Sequence, residues 1–121
     1  MLSINLEFNG NAKDAMDFYA QVFDYDLKDG DIWLGENGLI AHGEFKIHGH
    51  TLMFSDVAHQ VEDYSGFALS INLTSETALR QEFEKMSQGA QVLMPMGKVD
   101  WSECYGLLKD RFGVTWQFNL D

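Results

Sequence analysis

The stretches HGHTLMF (residues 48–54) and FGVTWQF (residues 112–118) decide the fold, because the second matches the first at a shift of 64 residues. Gly, Thr and Phe are identical between the two stretches. A shift of 65 residues likewise places residues 4–8 on residues 69–73, and the one-residue difference corresponds to a loop of different length. Matched residues in a matched order indicate that the second half of the chain repeats the first.

The first half predicts one strand, one helix and then three strands. Residues 4–8 alternate between apolar and polar side chains, which is the period of a strand with one apolar face. Apolar residues at helical spacing predict a helix over 12–23, with Asn11 as its N-cap and Asp14 in the position of a capping box. Turn-forming residues then delimit three predicted strands, over 32–34, 39–47 and 51–55.

The second half predicts the same order of elements. Residues 69–73 alternate as a strand, and Thr74 or Ser75 is expected to cap a helix that Gly89 ends. Three further strands are predicted over 91–94, 104–109 and 114–120, with the segment 95–97 separating the first two. We therefore predict a single domain, residues 1–121, built from repeat one (1–56), a connector (57–65) and repeat two (66–121).

Composition narrows the functional classes. The 121 residues are 45% hydrophobic, which is enough for the core of one domain. A formal charge of −11 repels phosphate backbones and anionic lipid surfaces, so we expect neither a nucleic-acid nor a membrane partner. The single cysteine, Cys104, permits no internal disulfide. The first residues are not basic and no long apolar run occurs, so we expect neither a signal peptide nor a membrane span. These features predict a cytoplasmic location.

The duplicated β-α-β-β-β pattern resembles the PhnB-like branch of the vicinal-oxygen-chelate superfamily, which includes glyoxalases, extradiol dioxygenases and the fosfomycin and bleomycin resistance proteins. The resemblance covers essentially the whole chain and is carried by residues 6–12, the Phe18-Tyr19 pair with Phe23, residues 52–56 and residues 110–117. It implies an α+β fold of two tandem repeats with curved mixed sheets and helices on the outer face. It further implies a homodimer that holds a ligand in a cup. Members of this branch were often labelled demethylubiquinone methyltransferase-like, but no glycine-rich nucleotide-binding loop is present here.

The resemblance also implies which residues line the cup and where a metal would bind. The helices would cover the apolar strand faces, so Trp116 is expected in the core. The cup would be lined by Ser3, Asn5, Glu7, Thr51, Met53, Ser55, Ala68, Ser70, Asn72, Thr115, Gln117 and Asn119. The metal-ligand positions of the superfamily fall on Ser3, Met53, Ala68 and Gln117. Ser, Met and Ala are poor ligands for a divalent metal, so we expect no metal and no cofactor.

The residues predicted to line the ligand pocket are His42, Met53, Trp101, Glu103, Tyr105 and Gln117. His42 shares a strand face with Glu44 and Lys46, and similar proteins often carry a histidine there. The alternating Trp101, Glu103 and Tyr105 would give aromatic walls with one carboxylate, which suits a flat or cationic organic ligand. The same alternation also fits an edge strand with a surface acid and core aromatics.

The remaining reactive side chains are two glutamates, one cysteine and three histidines, and we expect different roles for them. Glu7 and Glu103 are the candidates for catalytic proton transfer, Glu7 on the condition that it is buried. Cys104 lacks a neighbouring base and is expected to be buried and structural. Three histidines are expected to be exposed to solvent: His48, His50 and His59.

Three functions remain open at this point. The first is a PhnB-like protein that binds a small organic molecule without a metal. The second is a divalent-metal-dependent lyase, isomerase or oxygenase with an unusual ligand set such as His42, Glu103 and Gln117. The third is a dimeric interaction module with a vestigial cup.

Overall fold

The computed structural model describes all 121 residues, which form two compact units, Met1–Glu62 and Asp63–Asp121. Each unit holds one four-stranded sheet and one α-helix, α1 (Ala12–Val22) or α2 (Glu76–Met86). Neither helix is both long and apolar enough to cross a membrane. The strands are β1 (Ile4–Phe8), β2 (Ile32–Leu34), β3 (Ile40–Ile47), β4 (His50–Asp56), β5 (Leu69–Leu73), β6 (Gln91–Val99), β7 (Ser102–Lys109) and β8 (Thr115–Leu120).

The two sheets have the same topology. The strand order is β1-β4-β3-β2 in the first unit and β5-β8-β7-β6 in the second. In each sheet the first strand of the unit pairs in parallel with the last, and the other pairs are antiparallel. A parallel pair requires a long crossover, which the helix supplies together with the strands that follow it. The predicted α+β fold with two β-α-β-β-β repeats is therefore confirmed.

One face of each sheet packs against the helix of its own unit. In the first unit Leu6 and Phe8 are buried together with Tyr19 of α1. In the second unit Trp116, only 2% exposed, and Phe83 of α2 lie in the core, as the sequence predicts for Trp116. The alternate residues point to the opposite face and, apart from the buried Tyr105, are half-buried or exposed. We call this second side of each sheet its open face.

Two glycines at equivalent places allow the helices to approach the sheets. Gly43 pairs with Phe54 on β4, and Gly106 pairs with Phe118 on β8. A Cβ atom at Gly43 would collide with the sulfur of Met16. A Cβ atom at Gly106 would lie 2.7 Å from Cε2 of Phe83 and 2.6 Å from the sulfur of Met96 on β6. Close packing against bare backbone is therefore a shared feature of the two repeats.

Two carboxylates fix the loops between the elements. Asp110 is 4% exposed and accepts hydrogen bonds from the backbone N–H of Phe112 (2.8 Å) and Val114 (3.0 Å). Its second oxygen accepts from the indole N–H of Trp116 at 2.8 Å. In the first unit Asp56 accepts from the N–H groups of residues 10, 12 and 40, at 2.8, 3.1 and 3.0 Å. Backbone donors at these turns are thus satisfied by charged acceptors.

The structure corrects two details of the sequence interpretation. Asn11 makes no side-chain cap at α1, where Asp56 instead accepts from the N–H of Ala12, whereas Ser75 caps α2 as predicted. Residues 95–97 do not separate two strands but lie inside β6. Pro95 is tolerated there because β6 is an edge strand, where one side of the backbone has no ladder partner.

Gly106→Ala should lower the free energy of unfolding by about 1–3 kcal/mol, because the new methyl group must displace Phe83 or its neighbours. Gly97→Ala is the matched control on the adjacent strand, since a Cβ atom there meets nothing within 4 Å. Urea unfolding followed by far-UV circular dichroism measures both changes. Equal stability of the two variants would contradict the close packing at Gly106.

Candidate functional site

The polar side chains of β8 form the centre of the open face in the second unit. Asn119 pairs with Asn72 of β5 on one side and with Tyr105 of β7 on the other. Gln117 pairs with Ser70 and Leu107 in the same way. Since side chains of paired residues share a face, two neighbouring rows of mainly polar groups cross this sheet.

An anchored aromatic pair lies beside these rows. Tyr105 is only 8% exposed, and its hydroxyl donates a hydrogen bond of 2.7 Å to Oε1 of Gln117. Trp101, in the turn before β7, packs edge-on against Tyr105 with ring centroids 5.2 Å apart and an interplanar angle of 75°. The indole is nevertheless 66% exposed. The structure therefore brings three of the predicted pocket residues together, Trp101, Tyr105 and Gln117.

Asn119 adds a feature that sequence reasoning did not single out. Its Oδ1 atom is buried and has no hydrogen-bond partner. The sequence indicates only that Asn119 shares a strand face with Gln117, because the two residues are two positions apart. The missing donor depends on the side-chain positions of three strands and is visible only in the structure.

Glu103 is an exposed residue near the start of β7. Its carboxylate is exposed and 3.6 Å from the ammonium group of Lys98, an exposed pair that contributes little to stability. Gln117 pairs with Leu107, four residues along β7 from Glu103, so the two positions are separated by about 13 Å along the strand. The second hypothesis requires Glu103 and Gln117 to bind the same metal ion. Their separation along the strand does not bring them together in this way.

The other two predicted pocket residues, His42 and Met53, lie on the open face of the first unit. His42 Nε2 is 2.9 Å from Glu44 Oε1, and its ring lies 5.4 Å from that of Trp33. Met53 pairs with Glu44 across the sheet and is half-buried. This face thus carries a paired histidine and carboxylate next to an exposed tryptophan.

Glu7 pairs with a histidine instead of being buried. Its Oε1 atom is 3.1 Å from Nε2 of His59, and its side chain is 42% exposed. The burial on which its role as a base depended is therefore not found. His59 is exposed but contacts Glu7 and is not merely solvated. His48 and His50 are exposed as expected, His48 in the turn and His50 as the first residue of β4.

Cys104 is a free, fully buried thiol, as the sequence predicts. Its side chain belongs to the packed side of the second sheet, away from the polar rows of the open face. Nothing in its position gives it a catalytic role.

The donor atoms present do not fit the superfamily metal. Three of its four ligand positions hold Ser3, Met53 and Ala68, which supply neither an imidazole nor a carboxylate. At the fourth position, Oε1 of Gln117 already accepts a hydrogen bond from Tyr105. The structure also contains no group of three or more His, Cys, Asp or Glu side chains placed to hold an ion.

Solved structures of other proteins share this arrangement of helices and strands. A glyoxalase/bleomycin resistance protein/dioxygenase family enzyme from Burkholderia phytofirmans is 12% identical with a TM-score of 0.72, covering 98% of this chain and 95% of that one. A domain of the same description from Frankia is 15% identical with a TM-score of 0.73, covering 99% and 95%. At these identities the likeness shows the fold alone, which is a glyoxalase-like fold.

More similar proteins show that the chain is PhnB-like. The PhnB protein from Bacillus cereus is 30% identical with a TM-score of 0.81, covering 99% of this chain and 98% of that one. Protein PA1353 from Pseudomonas aeruginosa is 28% identical with a TM-score of 0.85, covering 100% and 98%. Protein YjdN from Escherichia coli is 27% identical over 98% of this chain and 94% of its own. The chain belongs to the 3-demethylubiquinone-9 3-methyltransferase family, whose model matches residues 1–119.

The hydrogen bond between Tyr105 and Gln117 should appear as a coupling free energy of about 0.5–1.5 kcal/mol. The measurement is a double-mutant cycle of Tyr105→Phe and Gln117→Met, with the free energy of unfolding determined in urea for all four proteins. Strictly additive losses would show that the two side chains do not support each other.

Proposed function

We propose that this protein binds a small organic molecule on the open face of its second unit, against Trp101 and Tyr105, without the metal of the superfamily. The observation that carries the proposal is the exposed indole of Trp101, packed on a tyrosine whose hydroxyl is held by Gln117. Ligand sites combine apolar aromatic walls with a few fixed polar groups. Trp101 and Tyr105 supply the walls, and Gln117 and Asn119 supply the polar groups.

The free energy for binding would come from covering the indole. A flat ligand that removes about 100 Å² of apolar surface from water gains about 2.5 kcal/mol from this effect. Tyr105 is already held in place by its hydrogen bond, so little side-chain freedom would be lost on binding. The anchored pair is therefore suited to hold a flat molecule.

Charge favours neutral or cationic ligands over anions. The formal charge of −11 lowers the local concentration of anions around the protein. The face of an indole also attracts cations. We therefore propose a flat ligand that is neutral or positively charged.

The proposal extends to the assembly of the protein. We propose a homodimer, supported by large apolar side chains that remain exposed outside the core, among them Leu34 at 66% and Leu93 at 46%. We further propose a reducing, cytoplasmic location, which is in keeping with the single buried thiol.

Sedimentation velocity over a range of protein concentrations should give twice the mass of the 13.8 kDa chain, and a monomer at all concentrations would contradict the dimer.

Trp101→Ala should weaken ligand binding by about tenfold, which corresponds to about 1.4 kcal/mol. Thermal shift against neutral, cationic and anionic aromatic compounds identifies ligands, and isothermal titration calorimetry then gives their affinities. Trp33→Ala is the matched control, because Trp33 is similarly exposed, at 52%, but lies in the first unit. The proposal fails if no compound binds, or if Trp33→Ala weakens binding and Trp101→Ala does not.

The untagged protein, purified without chelator, should contain far less than one equivalent of divalent metal, because the ligand positions lack suitable donors. Inductively coupled plasma mass spectrometry after incubation with Zn, Ni, Mn and Fe(II) measures this content. Retention of about one ion per chain, lost in His42→Ala or Glu103→Ala, would support the metal-dependent alternative instead.

A further inference from the structure

We infer that the ligand of this face is a flat aromatic molecule bearing an N–H donor, and that Oδ1 of Asn119 accepts its hydrogen bond. This inference rests on the proposed function and specifies the chemical class of the ligand. The observations that carry it are the unpartnered oxygen of Asn119 and its position next to the anchored aromatic pair.

Asn119 lies beside the anchored aromatic pair. It is the register partner of Tyr105, and directly opposed residues in an antiparallel pair have Cβ atoms about 4.5–5.5 Å apart. The indole of Trp101 in turn packs edge-on against the ring of Tyr105. A ring that packs against the aromatic pair and carries a short polar substituent could therefore place that substituent at Asn119.

The oxygen of Asn119 lacks a donor within the protein. It is the one buried side-chain nitrogen or oxygen without a hydrogen-bond partner, and such atoms are costly to leave unsatisfied. The neighbouring hydroxyl groups are directed elsewhere: Tyr105 donates to Gln117, and Ser70 donates to Asn72 at 3.4 Å. A donor from outside the protein would complete the site.

The unpartnered atom determines the polarity of the ligand group. A carbonyl oxygen accepts hydrogen bonds and cannot donate them, so the complementary group is an N–H or O–H donor. Among such donors, aromatic amides and amines are neutral or cationic, whereas phenols and carboxylic acids can lose their proton and become anions. The strongly acidic protein therefore favours the N–H compounds.

The test compares aromatic amides and amines with their fully N-methylated twins, starting with benzamide and N,N-dimethylbenzamide. Each compound is titrated into the full-length protein, and ¹H–¹⁵N correlation spectra give the dissociation constants. We expect the N–H compounds that bind to do so about tenfold or more tightly than their twins, the value of one good hydrogen bond.

Asn119→Leu separates a binding role from a structural one. It should erase the preference for N–H compounds and at the same time raise the urea midpoint of the ligand-free protein, because the unsatisfied oxygen is gone. Asn5→Leu is the control, since Asn5 lies on the open face of the first unit and its amide is satisfied by Ser55 at 3.1 Å. That variant should keep the preference and should not gain stability.

Three results would overturn the inference. Equal affinities of the N–H compounds and their twins would leave the aromatic site in place and remove the role of Asn119. An Asn119→Leu variant that keeps the preference, with a lowered urea midpoint, would make Asn119 a structural residue. Failure of every compound in both sets to bind would overturn the inference together with the proposed function.

Discussion

The parallel pairing of the first strand of each repeat with its last strand is the constraint on which the structure depends. β1 cannot lie next to β4, nor β5 next to β8, unless the intervening chain crosses one face of the sheet. The helix occupies that face, and the strands that follow it return as antiparallel neighbours. The apolar side of each strand is consequently committed to the helix, and the polar side is left as an open face. The candidate binding residues of the second unit all belong to this open face or to the turn beside it.

The buried carboxylate of Asp110 connects this constraint to the candidate site. It holds the turn between β7 and β8 through two backbone N–H groups and fixes the indole of Trp116 in the core. Because Trp116 and Gln117 are adjacent on β8, anchoring the former on the packed face orients the latter toward the open face. The strand that carries Gln117 and Asn119 is therefore fixed from the side opposite to the proposed ligand.

The parts of the fold that follow from local patterns could be predicted from the sequence. The alternation of residues 4–8 and 69–73 marks β1 and β5, and the duplication reveals the common topology. Features that depend on distant partners could not be predicted. Asp56 caps α1 from 44 residues away, and His59 meets Glu7 across 52 residues. The edge position that accommodates Pro95 is likewise a property of the assembled sheet.

The candidate site shows the same division. The alternation around Trp101 and Tyr105 and the family resemblance at Gln117 pointed to these residues, but only the structure shows the hydrogen bond that anchors Tyr105 and the unpartnered oxygen of Asn119. The most direct test of ligand binding at this face is chemical-shift mapping with a compound found in the thermal-shift screen. We expect the largest changes at the indole N–H of Trp101 and at the side-chain amides of Gln117 and Asn119. Changes confined to residues 1–62, or to the helix side of the second sheet, would contradict a binding site on this open face.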